Sequence, residues 1–200
     1  PVQTLDDLKG IKLRTAGVWI ELARELGAAP ITASGGDIFP MLERGVIDAT
    51  EWATPWHNQI AGLHKAVQYI VLPGVHQPGT THELLINKQA WGRVSPRDRQ
   101  LIQLAARLAS FEFWVKNGAE DAKAFRELQK GTNKFTVLDP AVITAAEESG
   151  KRWITRVSVD NTWVRKAAHS QAGHTLIWKQ WAPFRRMEKN SETQTRGGAE

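Results

Sequence analysis

Two hundred residues with no cysteine, 42% hydrophobic side chains, 24% charged side chains and a formal charge of +5 describe a globular chain able to bury a real core. Without thiols there are no disulfides, no thiolate zinc site and no cysteine nucleophile, a composition that suits an oxidising compartment. The basic residues are scattered rather than gathered on one face among aromatics, which argues against nucleic acid as a partner, and no apolar run approaches the roughly 18–20 residues that cross a bilayer.

The chain starts at Pro1, with neither an initiator Met nor a basic-then-apolar leader, and so reads as processed or as a piece of something longer. Thr4–Gly10 has a Thr cap and a Gly stop around one helical turn. Ile11–Arg14 alternates as a short strand. A helix opens at Thr15-Ala16-Gly17, carries Val18, Leu22 and Leu26 on one face and closes at Gly27. Ala29–Ala33 is a second strand. Ser34-Gly35-Gly36-Asp37 is a turn that caps a helix over Ile38–Arg44, with Asp37 as the cap. Val46–Thr50 is the third strand. Two β–α–β passes over Ile11–Thr50 imply parallel pairing with right-handed crossovers. Arg14 and Glu51 then both lie at carboxyl ends of strands, on one edge of one sheet, where open α/β sheets hold their ligands.

Further on, residues 53–62 read as helical and Ala66–Leu72 as extended. Pro73–Gly79 is turn chemistry, and Thr80–Asn87 is apolar enough for a central strand. Ser95-Pro96 starts a helix with Ser as cap and Pro at its first position. Its apolar spacing, from Leu101 to Phe125, persists to Lys130. At 1.5 Å per residue that is about 50 Å, long enough to run along two lobes or to offer a partner surface. Lys134–Leu138 is a strand, a helix follows from Pro140, and another covers roughly Asn161–Trp181. The polar residues 188–200 read as a disordered tail, leaving 1–187 as the folded part.

Three ordered stretches, Leu8-Lys9-Gly10-Ile11-Lys12-Leu13-Arg14-Thr15, Gly35-Gly36-Asp37-Ile38-Phe39-Pro40-Met41-Leu42 and Gly45-Val46-Ile47-Asp48-Ala49-Thr50-Glu51-Trp52, resemble the second half of DctP-type solute-binding proteins of TRAP transporters. Gly62-Leu63-His64-Lys65, Pro73–Gly79 and Leu84-Leu85-Ile86-Asn87-Lys88 continue the resemblance in the family's order. It implies a periplasmic α/β protein of two lobes with a cleft between them and a long helix across both, delivering an organic acid to a membrane permease. Glu51-Trp52 is similar to the branch that takes 2-oxo and related hydroxy acids together with a metal ion. Family members carry a further hundred-odd residues upstream of Leu8, so the resemblance implies a carboxyl-terminal fragment with the first lobe incomplete.

The residues themselves carry compatible chemistry. Arg14 offers two parallel N–H donors that match a carboxylate; its bland alternative is a surface ion pair, and the resemblance favours the ligand. Glu51 beside a bound carboxylate needs a shared proton or a cation. A hard ion such as Na+ or Ca2+, held by Glu51 and the Trp52 backbone carbonyl and bridging to the substrate, meets that need, and the resemblance implies the same two positions. Trp52 and Trp56 would wall the carbon skeleton, with core packing an equal alternative for Trp56. Gln77 matches a family position that hydrogen-bonds the ligand, and Glu83, in an apolar run, either pairs inside or points into the cleft. His57 and His64 are seven apart and lack the His-to-His spacing and adjacent Glu of a zinc hydrolase. Trp178 and Trp181 lie three apart on a helix and suggest a lobe contact or a homodimer surface.

The expectation is therefore a binding protein and not an enzyme: a solute-binding subunit capturing a small 2-oxo or 2-hydroxy monocarboxylate. A metal-assisted enzyme acting on oxo acids and a sensory ligand-binding domain are the competing classes.

Overall fold

The computed structural model of the protein describes residues 1–76 and 82–171. The chain forms two compact units, Pro1–Glu147 and Glu148–Glu200.

The first unit opens with α1 (Leu5–Leu8), a single turn closed by a capping box between Thr4 and Asp7. The Thr4 and Gln3 backbone N–H groups donate to the Asp7 carboxylate and hold its pKa below the ordinary 3.8. Then β1 (Lys12–Arg14), α2 (Trp19–Glu25), β2 (Ala29–Ile31), a 3-10 turn at Gly35–Asp37, α3 (Ile38–Glu43) and β3 (Ala49–Thr50) follow. The strands form a parallel sheet in the order β2-β1-β3. Leu13 stands opposite Pro30 and Ala49, and Arg14 opposite Ile31 and Thr50. These are the two β–α–β passes the sequence implies. Because β1 connects to β2 on one side while β3 returns on the other, the carboxyl ends of β1 and β3 flank a topological switch point.

The third strand is shorter than the apolar run Val46–Thr50. Gly45, at φ +69°, ends α3 in the left-handed conformation glycine allows. The N–H groups of Val46 and Ile47 then both turn back to the Met41 carbonyl and are lost to the sheet. Asp37 is also corrected: it stands at the N-cap position without a side-chain cap bond, because its carboxylate accepts the Ser34 hydroxyl instead. Beneath the sheet, Ile38, Leu42, Ile47 and Leu63 form a buried cluster on which Ile31, Phe39 and Trp52 pack.

After α4 (Pro55–Ile60) and α5 (Leu63–Ala66), β4 (Tyr69–Leu72) pairs in parallel with β5 (Lys134–Val137) in a second, two-stranded sheet. Asn133 fixes that register by donating to the His64 and Val67 carbonyls at 2.9 and 2.8 Å. The central strand expected at Thr80–Asn87 does not form over 82–87. Leu84 and Leu85 are 59% and 85% exposed. Apolar composition favours a strand only where a neighbouring edge accepts its backbone, and neither sheet pairs with this run.

Asn87 caps α6 (Lys88–Arg93), and Ser95 caps α7 (Pro96–Lys130), which runs unbroken for 35 residues through Asn117-Gly118. Its last turns bury Ala124 and Leu128. Its first half instead exposes Leu101, Leu104, Leu108, Phe111 and Val115, spaced three and four apart on one stripe. α8 (Pro140–Ser158) begins in the first unit and continues into the second. There a further helix covers 162–171, with the Asn161 side chain accepting from the Trp163 and Val164 N–H groups. Trp178, Trp181 and the tail at 188–200 lie outside the described residues. Among the described residues no helix is long and apolar enough to cross a membrane.

Candidate ligand-binding site

Parallel register places Arg14 and Thr50 side by side, so the residues that follow, Thr15 and Glu51, meet above the strand ends. The Glu51 N–H donates to the Arg14 carbonyl at 3.3 Å. Its Oε1 accepts the Thr15 hydroxyl at 3.0 Å and lies 3.5 Å from Arg14 Nη1. Thr15 is fully buried and Arg14 only 6% exposed. The other carboxylate oxygen, Oε2, faces His76 Nε2 at 3.4 Å. His76 is held in turn by its backbone carbonyl, which accepts the Trp19 indole N–H.

Arg14 carries five N–H donors. Nε and Nη2 both donate to the Ala33 carbonyl, at 3.1 and 2.8 Å, and one Nη1 donor faces Glu51. Two donors remain outside these bonds among the described residues. Trp52 covers the guanidinium, with Arg14 Cζ 5.3 Å from the ring centroid, a cation–π contact that strengthens as water is excluded. The far edge of the same indole leaves no room at Gly35, where an added Cβ would fall 2.6 Å from Trp52 Cη2. Gly35→Ala is therefore expected to push Trp52 off the guanidinium and cost about 1–3 kcal/mol as overpacking. Urea unfolding monitored by tryptophan fluorescence checks it, and an unchanged midpoint would rule out this fit.

A cavity of about 650 Å³ lies beside this cluster, within the size range of small-molecule sites. Strand residues from both sheets line it, including Leu13, Thr50, Tyr69 and Val71, together with Glu51, Trp52, Trp19 and His76. The sequence places Arg14 and Glu51 on neighbouring strand tips facing one hollow. The structure brings them into contact, but only Glu51 reaches the cavity wall, with Arg14 packed behind it.

The remaining candidates separate. Trp56, on α4, is half-buried: its backbone N–H donates to Asp121 of α7 at 2.9 Å and Lys116 Nζ sits 5.6 Å from its ring. It is not part of the cavity wall. Glu83 is exposed in the irregular 82–87 segment and is likewise absent from that wall. Gln77 lies outside the described residues. His57 bonds Thr54 through Nδ1 at 2.8 Å, and His64 lines the lower cavity. Among the described residues no group of three or more His, Asp or Glu side chains could hold a metal by itself. Thr15, Trp19 and His76 were not singled out from sequence. Thr15 could have been, since it directly follows Arg14 at a strand end.

A carboxylate braced by buried donors at a parallel-sheet switch point, beside a cavity, is the place where open α/β sheets hold their ligands. The profile of bacterial extracellular solute-binding protein family 7, the DctP family, matches residues 1–159, and the chain belongs to that family, one of binding proteins rather than enzymes. It is 29% identical over 186 residues to a monocarboxylate 2-oxoacid-binding periplasmic protein of Nostoc sp., covering 93% of this chain and 48% of that protein. Its fold matches a TRAP periplasmic solute-binding protein of Colwellia psychrerythraea, determined with bound calcium and pyruvate, at a TM-score of 0.84 and 21% identity. The match covers 94% of this chain and 59% of that one. A Pseudoalteromonas atlantica counterpart with bound sodium and pyruvate gives 0.83 and 22%, over 94% and 58%. The chain thus spans about half the length of the curated relative and three fifths of these structures.

Proposed function

We propose that this chain is part of the periplasmic solute-binding subunit of a TRAP transporter, which takes up a small 2-oxo or 2-hydroxy monocarboxylate with a bridging Na+ or Ca2+ and passes it to the membrane permease. Its main support is the meeting of Arg14 and Glu51 at the switch point, with Glu51 on the cavity wall. A carboxylate ligand entering beside Glu51 brings two like charges together, and a cation between them removes the repulsion.

Glu51 Oε2 supplies one anionic oxygen for that ion. Hard cations take six to eight oxygens in the case of Ca2+, so the Trp52 carbonyl and the ligand's own carboxylate and oxo oxygens would complete the set. When bound, the ion neutralises the ligand's charge and fixes its orientation. In this reading the ligand carboxylate reaches past Glu51 to the two Arg14 donors left over from Ala33 and Glu51, and Trp52 and Trp19 shield it from water. The 2-oxoacid named for the Nostoc relative and the pyruvate held with calcium or sodium in two fold neighbours are consistent with this chemistry. In this reading Gln77 adds a hydrogen bond to the oxo or hydroxyl oxygen.

Isothermal titration with pyruvate, with and without Na+ or Ca2+, tests the proposal. Affinity should rise when the cation is present, and Glu51→Gln should lose at least about tenfold, near 1.4 kcal/mol, together with the cation dependence. Binding that is equally tight in metal-free buffer, or untouched by Glu51→Gln, would refute it.

A further inference from the structure

The first half of α7 is apolar on two opposite sides. One side, with half-buried Ala106, Phe113 and Asp121, faces α4, where Phe113 meets His57 and Asp121 accepts the Trp56 backbone N–H. At 3.6 residues per turn, Leu101, Leu104, Leu108, Phe111 and Val115 gather on the side directly opposite. Each of the five is between 50% and 63% exposed. A helix with apolar residues on both sides calls for cover on both.

Intervals of three, four, three and four are those of the a and d positions of a heptad, by which two helices interlock knob into hole. On that frame Arg107 stands at g and Glu112 at e. In a parallel pair, each g residue lies beside the e residue five further along the other helix, and such pairs set partner and orientation. Arg107 and Glu112 are five apart. Both are exposed, and neither forms an ion pair among the described residues. An antiparallel pair sets g against g and loses this match.

We propose that this stripe is a self-association surface, on which a second copy of the chain lays its own α7 in parallel, with Arg107 beside the partner's Glu112 on both flanks of the seam. The charge match selects a second copy, because a surface that merely covered the stripe would need no acid and base in g-to-e register. α7 is already formed along its packed side, so pairing carries no cost of helix nucleation. That packed side also keeps the α4 layers of the two copies on the outer sides of the seam. Trp114, 72% exposed at the next g position, adds apolar area to its flank.

Sedimentation equilibrium of the 200-residue chain, from low to high micromolar concentration, should show a reversible monomer–dimer equilibrium. Leu108→Glu buries a charge in the seam and should raise the dissociation constant at least about a hundredfold. That side chain is 55% exposed, and thermal melts check that the fold is kept. Arg107→Glu and Glu112→Arg each set like charges against one another on both flanks and should weaken the dimer about tenfold. Mixed together, these two chains regain opposite charges on both flanks and should pair with each other at close to the original affinity. A chain that stays monomeric throughout overturns the proposal and leaves the stripe to the rest of a longer protein or to another partner. A dimer unmoved by Leu108→Glu overturns it too, since self-association then lies elsewhere. Sensitivity to Leu108→Glu without rescue in the mixture overturns the parallel pairing.

Discussion

Arg14→Ala should destabilise the first unit by about 3–5 kcal/mol, the usual cost of removing one partner from a buried ion pair. Three losses combine. Glu51, with its side chain 19% exposed against 8% for Arg14, loses its guanidinium neighbour and is left with the Thr15 hydroxyl. The Ala33 carbonyl loses both of its guanidinium donors, and Trp52 loses the cation beneath its ring. Arg14→Lys restores the charge but not the two-point hold on Ala33, because an ammonium lacks the planar fork, and should recover only part of the loss. Urea unfolding of the three chains measures the difference. A change under about 0.5 kcal/mol for Arg14→Ala, the range of ordinary surface substitutions, would mean that the guanidinium does not brace this site.

Ile38→Ala is expected to cost about 3–4 kcal/mol, within the span for large-to-small core replacements. Ile38 is fully buried and central to the cluster of Leu42, Ile47 and Leu63 that carries Trp52. Deleting its outer carbons leaves a void under α3, and the rigid sheet above limits collapse into it. The effect should therefore also loosen Trp52, visible as a red shift of tryptophan emission before global unfolding. Ile60→Ala is the internal control: that side chain is 68% exposed and should change stability by less than about 0.5 kcal/mol. Equal costs at the two positions would contradict the assigned core.

The parallel sheet was legible because glycine stops, short β-branched runs and helical spacing recur in a tight β–α–β rhythm over Ile11–Thr50. The long helix was legible for a similar reason, with Ser95-Pro96 and Gly131 marking its ends. Residues 82–87 show where such reasoning fails. Leu84, Leu85 and Ile86 have strand composition, yet composition says nothing about whether an unpaired edge stands nearby. Val46 and Ile47 fail differently, since closing α3 at Gly45 takes their N–H groups first. Trp56 illustrates a third limit: an aromatic four residues beyond Trp52 has the same local signature whether it faces ligand or a neighbouring helix, and here Lys116 of α7 lies over its ring.

By itself the sequence determined the family, the parallel β–α–β frame, and that Arg14 and Glu51 stand at neighbouring strand ends, because backbone periodicity and turn chemistry act over a few residues. Only the tertiary structure decided that Arg14 sits behind Glu51, committed to Ala33, and that His76 stands 3.4 Å from Glu51. Those arrangements depend on contacts 19 to 57 residues apart along the chain, set by how buried donors find partners once the sheet has closed, and no local pattern encodes them.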